Sequence, residues 1–400
     1  MDFELSLEQN DIQKAAREFA EKEFNKDYTL EIERSRQFPW RVFKKACELG
    51  FAGIDIPEAY GGQGYGLLER VLVTEAFSRS GAGVGLHASH PGLGIEIILW
   101  SGTEDQKNTY LPPLCRGEAL LASAFTEPDR GSDLVSAPLS TAAIREDEDY
   151  IINGTKTFIT LASVAKFIIV LCQTDPEAKP PYKGQSTIMV ETDREGIDVT
   201  ELEKMGWHAA PTTEVSFTDV RVPTRNLIGK ENQGFYQSIQ FLDRFRAMIG
   251  ASGVGMAQGA FERALEHAKE REAFGRKIGE FQAISHKLAE MVTKIETARL
   301  LVYKAGWKFD KQERLDPMLF SMAKWYPARV AVEVCDEAIE ILGGYGYMLE
   351  NEVERFYRDA RALEIVEGTR EIHKNTIARF ILGKHGKKTN RGQNDSQGED

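Results

Sequence analysis

The 400-residue chain has only four cysteines, Cys47, Cys115, Cys172 and Cys335, widely separated and without metal-ligand spacing. They read as reduced, structural thiols and give no disulfide framework. The seven histidines form no His-x-x-x-His or His-Glu-x-x-His pattern, so no metal is expected. No apolar run approaches the ~20 residues that a membrane span needs. The start, Met1-Asp-Phe-Glu-Leu-Ser6, is acidic and lacks the apolar stretch of a secretory signal, so the cytoplasm is the expected location. Basic residues are in deficit, 50 against 62 acidic, for a net charge of −12. That balance repels phosphate backbones and argues against nucleic acid as the main partner, while leaving room for a local nucleotide site.

What is present is ordinary globular composition in a chain long enough for two or three domains. Residues 1–121 read as helical. Ser6-Leu-Glu-Gln9 is a capping box, followed at helical spacing by Ile12, Ala15, Ala16, Phe19 and Ala20. Pro112-Pro113 is expected to begin the exit from this block. Across 122–230 the period changes to that of strands. Tyr150-Ile-Ile152, Asn153-Gly154 and Thr155 to Thr160 read as a hairpin around a tight turn, and Thr213 to Phe217 alternates like a half-buried strand. A small β-barrel or sandwich is expected there. Over 231–385 the helical period returns, with a stripe Ile284, Leu288, Met291, Ile295, Ala298, Val302, Ala305, and suggests a four-helix bundle. The tail, 386–400, is polar and Gly-rich and is expected to be flexible. The fold class is therefore multidomain α+β: helices, a β-domain, then a bundle.

Four clusters can carry chemistry. Phe125-Thr-Glu-Pro-Asp-Arg-Gly-Ser-Asp133 is either a loop-forming turn or a segment aiming Thr126 and Ser132 into a ligand cleft. In Lys156-Thr-Phe-Ile-Thr160, alternation puts Phe158 and Thr160 on one face, where they could pack on an aromatic ring and bond its edge. Arg271-Glu-Ala-Phe-Gly-Arg276 reads as a helix end with Gly275 the stop; Arg271 is a surface cation or a diphosphate ligand. The last region runs from Ile341-Leu-Gly-Gly-Tyr-Gly-Tyr347 to Ile365-Val-Glu-Gly-Thr369. Its glycines follow a helix, unlike those of a dinucleotide fingerprint. Glu367 there is either solvated or a buried base, with Thr369 a helix N-cap.

In this order and on this architecture, the clusters resemble the acyl-CoA dehydrogenase family from about Leu5 to Ile381. The resemblance implies FAD and an acyl-CoA substrate, dehydrogenated to the trans-2-enoyl-CoA, with Glu367 removing the α-proton. It implies flavin-ring contacts from Phe125, Thr126, Phe158 and Thr160. Arg271, Phe274, Gly343 and Gly344 would reach the FAD of a neighbouring subunit in a homotetramer, and Thr369 would also touch cofactor. Ser132 would serve cofactor and substrate; Asp243, Arg246, Gly368 and His90 would serve the substrate side. An electron-transferring flavoprotein is the implied electron acceptor. Some relatives carry the base on the helix that here reads Leu242-Asp-Arg-Phe-Arg246, where Phe245 cannot act as one.

The chain departs from the family pattern at several positions. Leu161 replaces a common Asn, Glu340 a common Gln that contacts FAD, and His208 a common Arg. Val84 stands where glutaryl-specific relatives have arginine. His87 and His90 lie in the segment that floors the acyl pocket in relatives, and have either packing roles or contact with a polar, aromatic or carboxylate-bearing acyl group. An acyl-CoA oxidase or flavin monooxygenase on the same fold is the competing enzyme reading. A helical scaffold without catalysis is the non-enzymatic one.

Overall fold

The computed structural model describes residues 4–312 and 314–383. Seven helices come first: α1 (Leu7–Glu23), α2 (Lys26–Ser35), α3 (Trp40–Glu48), α4 (Leu67–Gly81), α5 (Gly83–Ala88), α6 (Ile95–Ser101) and α7 (Glu104–Cys115). Strands follow: β1 (Leu121–Ala124), β2 (Ala142–Glu146), β3 (Asp149–Thr160), β4 (Phe167–Gln173), β5 (Gln185–Glu191), β6 (Ile197–Glu201) and β7 (Thr212–Pro223). The chain then returns to helix in α8 (Gly234–Glu270), α9 (Gln282–Gln312), α10 (Pro317–Leu342), α11 (Val353–Leu363) and α12 (Arg370–Ile381). The expected order of helices, strands and helices is present. No helix among the described residues is long and apolar enough to cross a membrane. The expected flexible tail, 386–400, lies outside the described residues.

The capping box forms as read: Gln9 N donates to Ser6 Oγ at 3.1 Å and Ser6 N to Gln9 Oε1 at 3.0 Å. The apolar face of α1 then stacks Phe19 on Phe77 of α4, ring centroids 5.1 Å apart. Pro112-Pro113 does not end the helical block, because both prolines lie inside α7. Their missing N–H groups would have bonded to the carbonyls of Asn108 and Thr109, both on exposed residues, so the helix continues to Cys115.

The β-domain is one seven-stranded mixed sheet, β1-β4-β2-β3-β7-β6, with β5 also on β4. The expected hairpin at Asn153-Gly154 is absent. Those residues lie within the single strand β3, at a shift of register against β7. Asn153 is tied across the sheet instead, Nδ2 donating to Asp219 Oδ1 at 3.0 Å and Oδ1 accepting from Asp219 N at 2.9 Å. A second register shift, between Lys156 and Ile159, breaks the alternation assumed for Phe158 and Thr160.

The bundle forms around α8. A methyl group at Gly250 would fall 2.0 Å from Ala323 O on α10, and one at Gly255 would fall 2.3 Å from Glu75 O on α4. These glycines let α8 pack closely against a bundle neighbour on one side and an N-terminal helix on the other. One apolar core accordingly joins Val71 of α4, Phe245 and Val254 of α8, Val302 of α9 and Ala331 of α10. A second joins Phe43 of α3 to Ile152, Ile168 and Val215 of the sheet. The described C-terminal helices exceed the four expected: α11, unread as a helix, packs on α10 beside α12.

Candidate active site

Glu367 sits in the loop between α11 and α12, in left-handed backbone (φ +54°), and Gly368 follows at φ +101°. Thr369 caps α12 as expected, Oγ1 accepting from Ile372 N at 3.4 Å. Two cations from the bundle hold this loop. Arg246 Nε of α8 donates to Glu367 O at 3.3 Å, and Lys324 Nζ of α10 donates to Gly368 O at 2.7 Å. Asp243 pairs with Arg246 and fixes it. Gly368 also lies close on His373, whose Nε2 would be 3.2 Å from a methyl group there.

Glu367 Oε2 is buried and has no hydrogen-bond partner among the described residues. Desolvation pushes the carboxyl up to about 7, against the opposing attraction of Lys324 and Arg246. Burial brings Lys324 down to about 7. The site thus presents a proton-exchanging carboxyl near neutrality beside a buried amine. His373 is held neutral, its pKa down to about 3 by burial and then by the charges of Arg246 and Lys324.

Cluster one meets cluster two at the end of β1. Thr157 N donates to Thr126 O at 2.9 Å, while buried Lys156 Nζ donates to Phe125 O at 3.0 Å and to Glu127 Oε1 at 3.1 Å. Glu127 accepts in turn from Ser140 N and Thr141 N, both at 2.8 Å. This buried pair therefore fixes the loop on the strand. Phe158, at φ +57°, stands 68% exposed, and Thr160 is half-buried. Ser132 is exposed in a loop whose Asp133 accepts from Val135 N and Ser136 N.

Gly275 is not the helix stop expected. The helix ends at Glu270, capped by Arg271, and Phe274-Gly275 forms the tip of a ribbon pairing Glu272–Ala273 with Arg276–Lys277. Both tip residues have positive φ, which suits a tight two-residue turn. Phe274 is 96% exposed. Arg271, Gly343, Gly344 and Tyr345 line one cleft of about 530 Å³, and Glu340 is exposed at the end of α10 nearby. Among the described residues, no atom lies within 4 Å of where a methyl group on Gly343 or Gly344 would stand. Bare backbone, a guanidinium and outward-standing aromatic rings fit a large, flat, phosphate-bearing group such as FAD. Phe125, Phe158, Thr160 and Glu367 do not line this cleft. A cleft of about 800 Å³ between α1 and α3 contains none of the residues of the four clusters.

Residues 6–118, 122–220 and 232–382 match, in order, the N-terminal, middle and C-terminal domains of acyl-CoA dehydrogenase. The chain belongs to the acyl-CoA dehydrogenase family. It is 39% identical over 375 residues to the caffeyl-CoA reductase–Etf complex subunit CarC of Acetobacterium woodii, covering 93% of this chain and 98% of that protein. Butyryl-CoA dehydrogenase from Megasphaera elsdenii superposes with a TM-score of 0.90 at 35% identity, covering 96% of this chain and all of that one. A glutaryl-CoA dehydrogenase from Mycobacterium smegmatis, described in complex with FADH2, gives 0.88 at 28% identity over 96% and 97% of the two chains. The protein is accordingly an oxidoreductase of an FAD-dependent family.

Within this acyl-CoA dehydrogenase fold, sequence reading missed Lys324, His373 and the Glu127–Lys156 pair. Lys324 carried a signal, because it occupies a helical stripe with Phe320 and Ala331 that is otherwise apolar. A lysine there needs a buried partner. His90 lies buried with its ring 5.6 Å from that of Phe245, and Nδ1 is 3.1 Å from Gly92 O.

Proposed function

We propose that the protein dehydrogenates an acyl-CoA thioester to its trans-2-enoyl-CoA, with Glu367 as the base that takes the α-proton. The observation that carries this is the buried, unpartnered Oε2 on a carboxyl brought to about 7. A solvated carboxylate is too weak for an α-proton, whereas a base matched to the working pH combines availability with strength. The backbone N–H of Glu367 is the donor we assign to the thioester carbonyl, where negative charge develops. Arg246 and Lys324 hold the loop while the proton moves. Phe125, Thr126, Phe158, Thr160, Arg271, Phe274, Gly343, Gly344 and Thr369 are assigned to FAD, which supplies the hydride acceptor when bound. Ser132, Asp243, Arg246 and Gly368 are assigned to the coenzyme A side.

An electron-transferring flavoprotein is the assigned electron partner, supported by the Etf complex to which the Acetobacterium woodii relative belongs. A cytoplasmic homotetramer completes the reading. Val292, Leu300 and Trp307 are exposed apolar residues on α9 at spacings of eight and seven, which puts them on one helical face suited to a subunit contact. That relative's name, a reductase, also favours a second direction of the same chemistry, in which Glu367 returns a proton to an enoyl-CoA. Anaerobic mixing of the purified protein with straight, branched, cyclic and aryl-substituted acyl-CoAs is expected to bleach its flavin. Failure of the whole panel refutes dehydrogenation, and bleaching only by an external reductant, reversed by enoyl-CoA, selects the second direction. Near-normal turnover by Glu367→Gln would reject Glu367 in either.

A further inference from the structure

His87 on α5 is 3% exposed, and neither of its ring nitrogens has a hydrogen-bond partner among the described residues. Trp207, in the loop between β6 and β7, is also buried, and its Nε1 has no partner either. The two rings meet edge to face with centroids 5.0 Å apart. Buried polar atoms are nearly always bonded, so three such atoms in adjoining rings need an explanation. Nor is this a loosely held corner. Asp359 accepts from Gly83 N at 2.9 Å and from Trp207 N at 2.6 Å, so one carboxylate fixes both segments that carry the rings.

A run of rings joins this pair to Phe125. His87 lies 6.1 Å from His90, His90 5.6 Å from Phe245, Phe245 5.5 Å from Phe241 and Phe241 6.2 Å from Phe125. Phe245 directly precedes Arg246, which bonds the Glu367 carbonyl. Phe125 directly follows β1 and is itself one of the proposed flavin contacts. The run of rings therefore leads from Phe125, a proposed flavin contact, to the unpartnered nitrogens of His87 and Trp207. Burial keeps His87 well below its ordinary range, so the ring is neutral and offers one donor and one acceptor. The nearby Lys204 is engaged with Ala210 O and Thr212 Oγ1.

We propose that His87 and Trp207 recognise the far end of the acyl group, and that this end carries an uncharged hydrogen-bonding group, a hydroxyl or a carbonyl. The inference rests on the acyl-CoA reading above and names its substrate class. A terminal carboxylate would meet a neutral ring and an already bonded ammonium, so dicarboxylic thioesters are poor substrates.

The test is flavin reduction in the holoenzyme with matched pairs: 6-hydroxyhexanoyl-CoA against heptanoyl-CoA, and 3-(4-hydroxyphenyl)propanoyl-CoA against its 4-methyl analogue. A site with unsatisfied buried polar groups should prefer the hydroxyl member of at least one pair by roughly tenfold or more in kcat/KM. In Trp207→Phe, which keeps the ring and removes the donor, and in His87→Leu, that ratio should fall towards one. Methyl members equal to or better than hydroxyl members in both pairs overturn the inference, as does a preference that survives both substitutions. Flavin reduction by apolar thioesters alone leaves the acyl-CoA reading standing and sinks this one. No reduction by any thioester, and no reoxidation of the reduced flavin by the matching enoyl-CoAs, removes both.

Discussion

Glu367→Gln should inactivate the enzyme and stabilise its fold, but only in a defined pH range. The native carboxyl titrates near 7 against an ordinary value of 4.5. Below pH 4.5 both folded and unfolded chains hold the proton, and the group costs nothing. As pH rises from 4.5 through 7 the unfolded chain ionises first, so native stability falls; above 7 the full penalty is present. A gap of about 2.5 units, at ~1.4 kcal/mol each, gives a penalty of roughly 3 kcal/mol. Glutamine holds no titrating proton and escapes it, although its amide still needs partners, so a gain of about 2 kcal/mol is expected at pH 8. Urea unfolding of wild type and variant at pH 4.5 and pH 8, followed by circular dichroism, reads the difference directly. Turnover of the best thioester should meanwhile fall by roughly 10²- to 10⁴-fold. A variant no more stable than wild type at pH 8, or equally stabilised at both pH values, would refute the argument that burial sets this carboxyl.

Lys324→Met removes the first of the charges that lower the Glu367 pKa, so the acid limb of the kcat–pH profile should move up by about one unit, and Lys324→Arg should restore it in part. An unmoved limb would reduce Lys324 to a packing role. Arg244→Met removes the bonds to buried Glu96 (2.6 Å) and Asp55 (2.7 Å), leaving Asp55 only Arg70 at 3.8 Å, and should cost ~3–5 kcal/mol in chemical unfolding. Gly344→Ala meets no atom of the described residues within 4 Å, so its melting behaviour without flavin should be unchanged. Flavin bound per chain, read from visible absorbance, should fall severalfold; full occupancy would remove Gly344 from the cofactor site.

Long helices were legible where local signals agreed. The apolar stripe from Ile284 to Ala305 marks α9, and Pro317 in the first turn with Gly343 just past the end marks the bounds of α10. In the errors within the sheet, local punctuation was overruled by distant partners. Asn153-Gly154 has the chemistry of a tight turn, yet two bonds to Asp219, 66 residues on, keep it within a strand. Phe274-Gly275, read as a helix stop, forms such a turn because a ribbon closes around it. Period-2 reasoning at Phe158 failed at a bulge, which appears only once β7 is paired.

Glu367 was legible as a loop carboxylate in a family motif, but what gives it chemistry is long-range. Arg246 reaches its carbonyl from 121 positions away, and Lys324 reaches the next carbonyl from 44. A non-glycine residue in left-handed backbone costs ~1–3 kcal/mol and persists only where the surroundings over-determine it. Here the two successive carbonyls are each held by a cation on a different bundle helix. The loop cannot relax to ordinary φ without disturbing one of those bonds. The same two cations oppose the desolvation that raises the carboxyl. Geometry and proton affinity at Glu367 are therefore coupled through Arg246 and Lys324, and a substitution at either must change both together.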